Sequence, residues 1–210
     1  MSVSTASLSD ALDSLGLPGS LHGISALRPG QRVAGPVFTV TYEPVDGTGG
    51  TVGDFLDDVP AGAVILIDNA GRTDCTVWGG IMSQTARELG IAGTVINGTC
   101  RDVAVAASAG YPLWSVSKFM RTGKDRVRVA AVQAPVVVDG VTIAPGDILV
   151  ADDDGAVAVP AARWEEVRGI AQRIDDVEEA IVEAVRGGAT LAAARAQHGY
   201  HSLQTRKDHS

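Results

Sequence analysis

The chain has 210 residues, 45% of them hydrophobic but only 4% aromatic, which suits one Val-, Ile-, Leu- and Ala-rich core and gives few stacking platforms for bases. A formal net charge of −8 opposes binding to a phosphate backbone, which requires a basic footprint. No apolar run approaches the roughly 20 residues that span a bilayer, and with Cys75 and Cys100 as the sole cysteines no disulfide framework is expected. Met1–Asp10 carries neither the basic nor the apolar region of a secretory leader, so a cytoplasmic protein without nucleic-acid or membrane partners is expected.

In chain order, Ser7 or Ser9 can cap a short helix that runs to Leu15 and stops at Gly16 and Pro18. Val33–Tyr42 is rich in β-branched residues and predicts a strand. A glycine-rich connection, Asp46–Gly50, leads to a short acidic helix around Val52–Val59. Val64–Ile67 is a continuous apolar run, the pattern of a strand covered on both faces. A polar loop, Asn69–Val77, precedes a helix from Gly80 to Leu89. Thr94–Ile96 predicts a buried strand, Arg101–Ala109 a second helix and Pro112–Val116 a further strand. This β-α-β-α-β order predicts a parallel segment joined by helical crossovers. From Arg126 to Val159 short strands alternate with turns at Ala144–Asp147 and Asp152–Gly155. Val167, Ile170, Ile174, Val177, Ile181 and Ala184 then form an apolar seam along a long helix.

The chemistry concentrates where two helices are predicted to open on one side of the sheet. Gly79 and Gly80 start the first helix, where free backbone N–H groups favour an anion; the alternative is a loop that needs unusual dihedrals. Thr99-x-x-Asp102 reads as a capping box, and Asp102 equally as an oxygen ligand for a hard divalent cation. Arg101 next to it suits a carboxylate, from a ligand or from a structural acid. Ligands of open parallel sheets sit outside the carboxyl ends of the strands, where both helix starts fall. Weaker candidates are the glycine-rich 47–53 stretch, Gly123-Lys124-Asp125, Cys100 at a helix start, the pair His198 and His201, and the acidic turn Asp152–Asp154. None has the spacing of a P-loop, a nucleophile–base pair or an EF-hand.

Trp78-Gly79-Gly80-Ile81-Met82 followed by Thr99-Cys100-Arg101-Asp102 resembles the motif of the class II pyruvate aldolases that cleave 4-hydroxy-4-methyl-2-oxoglutarate, a family shared with the regulator of ribonuclease E activity, RraA. The likeness extends to Asp10-Ala11-Leu12, Ala34-Gly35-Pro36, Gly90–Gly93, Gly110-Tyr111-Pro112, Pro145-Gly146-Asp147 and Ala151–Gly155. The resemblance implies an α/β protein: a β/β/α sandwich akin to swivelling phosphohistidine domains, with a parallel βαβ segment and a long C-terminal helix. A single domain over 1–210 is expected, with its core at about 9–160 and a helical extension at 160–200. Homotrimers or hexamers, with sites at subunit interfaces, are also implied.

By the same resemblance, amides of Gly80, Ile81 and Met82, with Gly79 beside them, contact a 2-oxo acid substrate. Arg101 binds that substrate, and Asp102 holds Mg²⁺ or Mn²⁺. The implied activity is a metal-dependent carbon–carbon lyase working through a pyruvate enolate, with oxaloacetate decarboxylation as a companion reaction. Two positions depart from the family pattern. Val105 stands where an acid is usual, and Asn97 replaces a common Asp. The acidic stretch Asp46–Asp58, or Arg72 with Asp74, is a candidate to compensate. The intact Asp102 argues against the regulator branch, which tends to lose it, although a non-catalytic interaction protein remains the alternative, as does a lyase or hydrolase of another small acid.

Overall fold

A computed structural model describes residues 3–45 and 49–200. In chain order the elements are α1 (Thr5–Ser14), β1 (Ser25–Ala26), β2 (Val33–Pro44), β3 (Val64–Asp68), α2 (Gly80–Glu88), β4 (Gly93–Cys100), α3 (Val103–Ser108) and β5 (Leu113–Lys118). There follow β6 (Val127–Val132), β7 (Val136–Val138), β8 (Val141–Ile143), β9 (Ile148–Ala151), β10 (Ala156–Val159), α4 (Trp164–Arg186) and α5 (Leu191–Gln197). They belong to two units. Ser20–Ala161 forms the mixed α/β unit, and the segment up to Gly19 joins the segment from Ala162 onward in a helical one. The helix near the start of the expected 9–160 core thus groups with the C-terminal helices.

The α/β unit is built on an eight-stranded sheet ordered β1-β5-β4-β3-β2-β9-β10, with β6 also paired to β2. β2, β3, β4 and β5 run parallel, joined between β3 and β5 through α2 and α3, as the β-α-β-α-β pattern predicts. Alternate side chains of this sheet enter different clusters. Ile65, Ile67, Ile96 and Leu113 pack with Trp78, Met82 and Ala106 on the helical face. Val64, Leu66, Val95 and Trp114 pack with Val136, Val138, Leu149 and Ala158 from the later strands. The apolar run in β3 is continuous because both faces are covered, so neither half of the period-2 alternation can be polar.

β2 connects two pairings. Val33–Pro36 bonds to β9 and Val40–Pro44 to β6, both antiparallel, with a bulge between Thr41 and Tyr42. The β7–β8 hairpin turns at Asp139 and Gly140, with φ of 49° and 78°, the paired left-handed conformations of a two-residue hairpin. Two resemblance motifs have structural uses here. The Asp147 carboxylate accepts from the Ala144 and Ala161 N–H groups, and the Asp152 carbonyl accepts from the indole of buried Trp114 at 2.7 Å. The expected acidic helix at Val52–Val59 reduces to one 3₁₀ turn, Leu56–Asp58.

In the helical unit the cap of α1 is Ser4, whose Oγ accepts from Ser7 N–H at 3.0 Å; Ser7 and Ser9 lie inside the helix instead of capping it. Ser7 Oγ donates to Asp175 of α4. The long helix spans the predicted seam, with Val167, Ile174 and Ile181 buried. Glu165 and Glu166 sit in its first turn and Arg186 in its last, both favourable to the helix dipole. Among the described residues no helix is long and apolar enough to cross a membrane.

Candidate functional site

Thr76, in the segment between β3 and α2, extends the sheet. Thr76 bridges in parallel to Thr99 at the end of β4 and to Thr122. The Val77 N–H donates to the Thr99 carbonyl at 3.2 Å, and the Arg101 N–H to the Trp78 carbonyl at 2.9 Å. That register brings Gly79 and Gly80 beside Arg101 and Asp102, so the two motifs that the sequence separates by twenty residues meet.

The local structure differs from the capping box expected at Thr99. β4 runs to Cys100, and Thr99 Oγ1 donates to the Cys75 carbonyl at 2.7 Å instead of capping a helix. The helix starts at Val103, with Asp102 as its cap residue in the left-handed conformation, φ 58° and ψ 37°. The Asp102 side chain does not cap its own helix. Its Oδ2 accepts from the Gly80 N–H at 2.9 Å, the first amide of α2, and lies 3.6 Å from Arg101 Nε. Asp102 therefore clasps the neighbouring helix start. Arg101 precedes the helix and does not sit in its first turn, and its Nη1 donates to the Met120 carbonyl at 3.4 Å. Both side chains remain partly open to solvent, at 40% and 45%.

The glycines sit close against the Asp102 and Val105 side chains. A Cβ on Gly79 would come within 3.2 Å of Asp102 Oδ2, and one on Gly80 within 3.1 Å of Val105 Cγ1. Helix α2 opens with three amides lacking the usual intrahelical acceptor. Gly80 N–H is taken by Asp102. Ile81 and Met82 N–H have no acceptor among the described residues and are the donors left for a ligand. Trp78 fixes the turn before them: its indole donates to Ser83 Oγ at 2.9 Å, and its ring stacks on Tyr111 with centroids 5.9 Å apart.

These groups line a cavity of about 210 Å³. Arg101 and Asp102 are its charged members, with Gly79, Gly80, Ile81 and Met82 along the α2 start and Trp78 and Val52 as apolar wall. Thr76 and Thr122 complete the lining. All six residues expected from sequence thus share one cavity. Val52, Thr76 and Thr122 join the lining without a local signal: Thr76 and Thr122 come together only through non-local bridges, and the pattern around Val52 predicts a helix. The glycines before Val52 are the available signal, since a Cβ on Gly50 would fall 2.2 Å from the Val127 carbonyl oxygen.

The other candidates lie elsewhere. Val105 lies against Gly80 and is not part of the lining. The Asn97 amide donates to Asp68 Oδ1 at 2.8 Å. Arg72 and Asp74 pair with each other through two bonds of 2.9 and 2.8 Å, and the Arg72 guanidinium holds the Asp74 carboxyl below its usual range. Arg72 and Asp74 are not among the residues that line the cavity. Cys100 is buried in a strand, not at a helix start, and burial pushes its thiol pKa up, the opposite of an activated nucleophile. Asp152–Asp154 is a turn in which the Asp153 carboxylate accepts from the Gly30 N–H and the Asp152 carboxylate from the Asp154 N–H and faces Arg32. Asp46, Gly47 and His201 lie outside the described residues.

Among the described residues no group of three His, Cys, Asp or Glu side chains is arranged to share a metal ion. Asp102 is the one carboxylate lining the cavity, and its Oδ1 accepts no hydrogen bond among the described residues. One free carboxylate oxygen fits a water-rich Mg²⁺ or Mn²⁺ that takes its remaining ligands from solvent and substrate, and does not fit a metal fully caged by protein.

Comparison with known proteins shows the family. Residues 5–158 match the family model described as RraA-like, Aldolase/RraA. A Legionella pneumophila protein, DlpA, is 41% identical over 199 residues, which is 93% of this chain but 32% of DlpA, so the chain spans about a third of that relative's length. A Halalkalibacterium halodurans protein with the provisional name 4-hydroxy-4-methyl-2-oxoglutarate aldolase is 31% identical, covering 87% of this chain and 85% of its own. The crystal structure of an uncharacterized protein from Pseudomonas syringae pv. tomato superposes with a TM-score of 0.86 at 47% identity, over 92% of both chains. With the two helix starts joined at Asp102 and the match running through both, this chain belongs to the RraA-like family.

Proposed function

We propose that the protein is a divalent-metal-dependent carbon–carbon lyase of 2-oxo acids, releasing pyruvate by way of its enolate. The supporting observation is the single cavity in which Arg101, Asp102 and the free amides of Ile81 and Met82 converge. The fork of Arg101 and the two amides suit a 2-oxo carboxylate, a planar anion able to accept several donors at once. Arg101 also balances the negative charge that develops on the 2-oxo oxygen as the bond to the leaving carbon breaks. The Asp102–Gly80 bond holds the donors in place, so little reorganisation is needed during reaction. A cation held through Asp102 would supply Lewis-acid polarisation of the 2-oxo group. The swivelling-domain likeness, a trimeric or hexameric assembly and a cytoplasmic setting go with this reading.

Pyruvate release over a panel of 2-oxo acids that includes oxaloacetate tests it. Release that stops with chelator and returns with Mg²⁺ or Mn²⁺ is expected; rates no higher than those of free metal ion would remove the lyase reading. The RraA half of the family description supplies a second reading, a non-catalytic interaction protein. It draws on the lone carboxylate in the cavity and the lack of a multi-ligand metal group among the described residues. Mg²⁺ that leaves the melting temperature unchanged would favour it.

A further inference from the structure

One peptide unit of the site is held at both ends. The Gly79 carbonyl accepts from the Ser83 N–H at 3.1 Å and from the Ser83 hydroxyl at 3.3 Å. The Gly80 N–H of the same peptide donates to Asp102 Oδ2 at 2.9 Å. A peptide is planar, so fixing the direction of its C=O fixes that of its N–H. Ser83 is fully buried and is not among the residues that line the cavity.

Serine hydroxyls in helices often bond back to the carbonyl four residues earlier, and such a bond alone marks only a local habit. Here a second partner commits the hydroxyl. The Trp78 indole N–H donates to Ser83 Oγ at 2.9 Å, which uses acceptor capacity and leaves the hydroxyl hydrogen for the Gly79 carbonyl. The indole is fixed in turn. Its ring stacks on Tyr111, whose Oη lies 2.8 Å from Thr94 Oγ1, and the Trp78 carbonyl accepts from the Arg101 N–H. Thr94, Tyr111, Trp78 and Ser83 are each at most 1% exposed, so the chain supplies this support unaided, in a dry setting that strengthens its hydrogen bonds.

We propose that Ser83, oriented by the Trp78 indole, is a positioning residue for the lyase site. It sets the Gly79–Gly80 peptide and, through the Gly80 N–H, the Asp102 carboxylate and the start of α2 that carries the Ile81 and Met82 amides. This rests on the lyase reading and adds to it a residue outside the cavity. Without the hydroxyl the Gly79 carbonyl keeps one of its two bonds and the peptide can tilt. Asp102 and the amides then have to reorganise as charge develops on the 2-oxo oxygen. The loss falls on kcat more than on KM, because Arg101 still receives the carboxylate.

The test compares Ser83→Ala, Trp78→Phe and the double variant, by pyruvate release for the kinetics and by calorimetry for Mg²⁺ affinity. Ser83→Ala leaves the indole N–H buried without an acceptor and should melt below wild type. The double variant removes that orphaned donor and should recover much of the melting temperature. Turnover should not follow stability. Removing the hydroxyl from wild type or from Trp78→Phe is expected to lower kcat about ten-fold, with KM within about three-fold and Mg²⁺ bound several-fold more weakly. Ser83→Thr keeps the hydroxyl and should restore kcat. A kcat that recovers with the melting temperature in the double variant overturns the positioning role and leaves the lyase reading standing. So does a Ser83→Ala protein with wild-type kcat and Mg²⁺ affinity, or a folded Ser83→Thr protein as slow as Ser83→Ala. Wild-type protein that releases no pyruvate from any 2-oxo acid overturns the lyase reading, and the role of Ser83 with it.

Discussion

Asp102 combines a charge, a hydrogen bond and an unusual backbone conformation, and substitutions can separate them. Asn tolerates the left-handed conformation and can still accept from Gly80 N–H, but it brings no negative charge for a cation. Asp102→Asn is expected to keep the wild-type melting temperature while losing Mg²⁺ affinity by calorimetry and metal-dependent turnover. Asp102→Ala loses the acceptor and sits poorly at φ 58°, and should cost about 1–2 kcal/mol in urea unfolding. Unchanged Mg²⁺ affinity in the Asn variant would rule the ligand assignment out. Arg101→Lys keeps the charge without the planar fork. Its kcat/KM should fall by one to two orders of magnitude, about 1.4–2.7 kcal/mol of transition-state stabilisation, with unfolding midpoints unaltered. A fully active Lys variant would mean that the fork contributes nothing to the chemistry.

At the scale of elements, the parts legible in the sequence are those whose cause is local. Val64–Ile67 announces a doubly covered strand, and the Val167–Ala184 seam announces α4, because period and burial are written in consecutive residues. α3 starts at Val103, not at the predicted Arg101, for the opposite reason. Thr99 is held extended by a bridge to Thr76, over twenty residues earlier, and Thr99 and Cys100 pair with Ser117 and Lys118 of β5; no local propensity at Thr99 records those partners. The meeting of Gly80 with Asp102 was legible as a shared strand end; the left-handed turn that aims the carboxylate was not. The pairing of α1 with α4 was equally hidden, and it carries a pH effect. Burial, followed by Asp10 and Asp175, raises the Glu178 carboxyl above its ordinary value of 4.5. The folded state then binds that proton more tightly than the unfolded chain, so ionising Glu178 opposes folding. Its contribution to stability should improve as pH falls through the raised value and level off below the ordinary one. Glu178→Gln should melt higher than wild type at about pH 7 and lose that advantage towards about pH 4, followed by thermal denaturation at each pH. A variant that melts lower at neutral pH would show that the carboxylate is needed there.

For the whole molecule, the resemblance implies assembly into trimers or trimer pairs. Ile81 and Met120, 83% and 76% exposed, flank the Arg101–Asp102 pair as apolar surface, a composition expected where chains meet. Light scattering at micromolar concentration should give a mass near three or six times the 21.6 kDa chain; a monomer would contradict the proposed assembly. The order in which the chain is made bears on the helical unit in another way. A ten-residue helix is marginal in water on its own, and α1 packs with α4 from the opposite side of the α/β unit in sequence. During translation α1 therefore leaves the ribosome long before the surface that buries Leu8, Ala11 and Leu12 exists. Those side chains stay available to chaperones through the synthesis of every strand, and completion of α4 is the event that withdraws them.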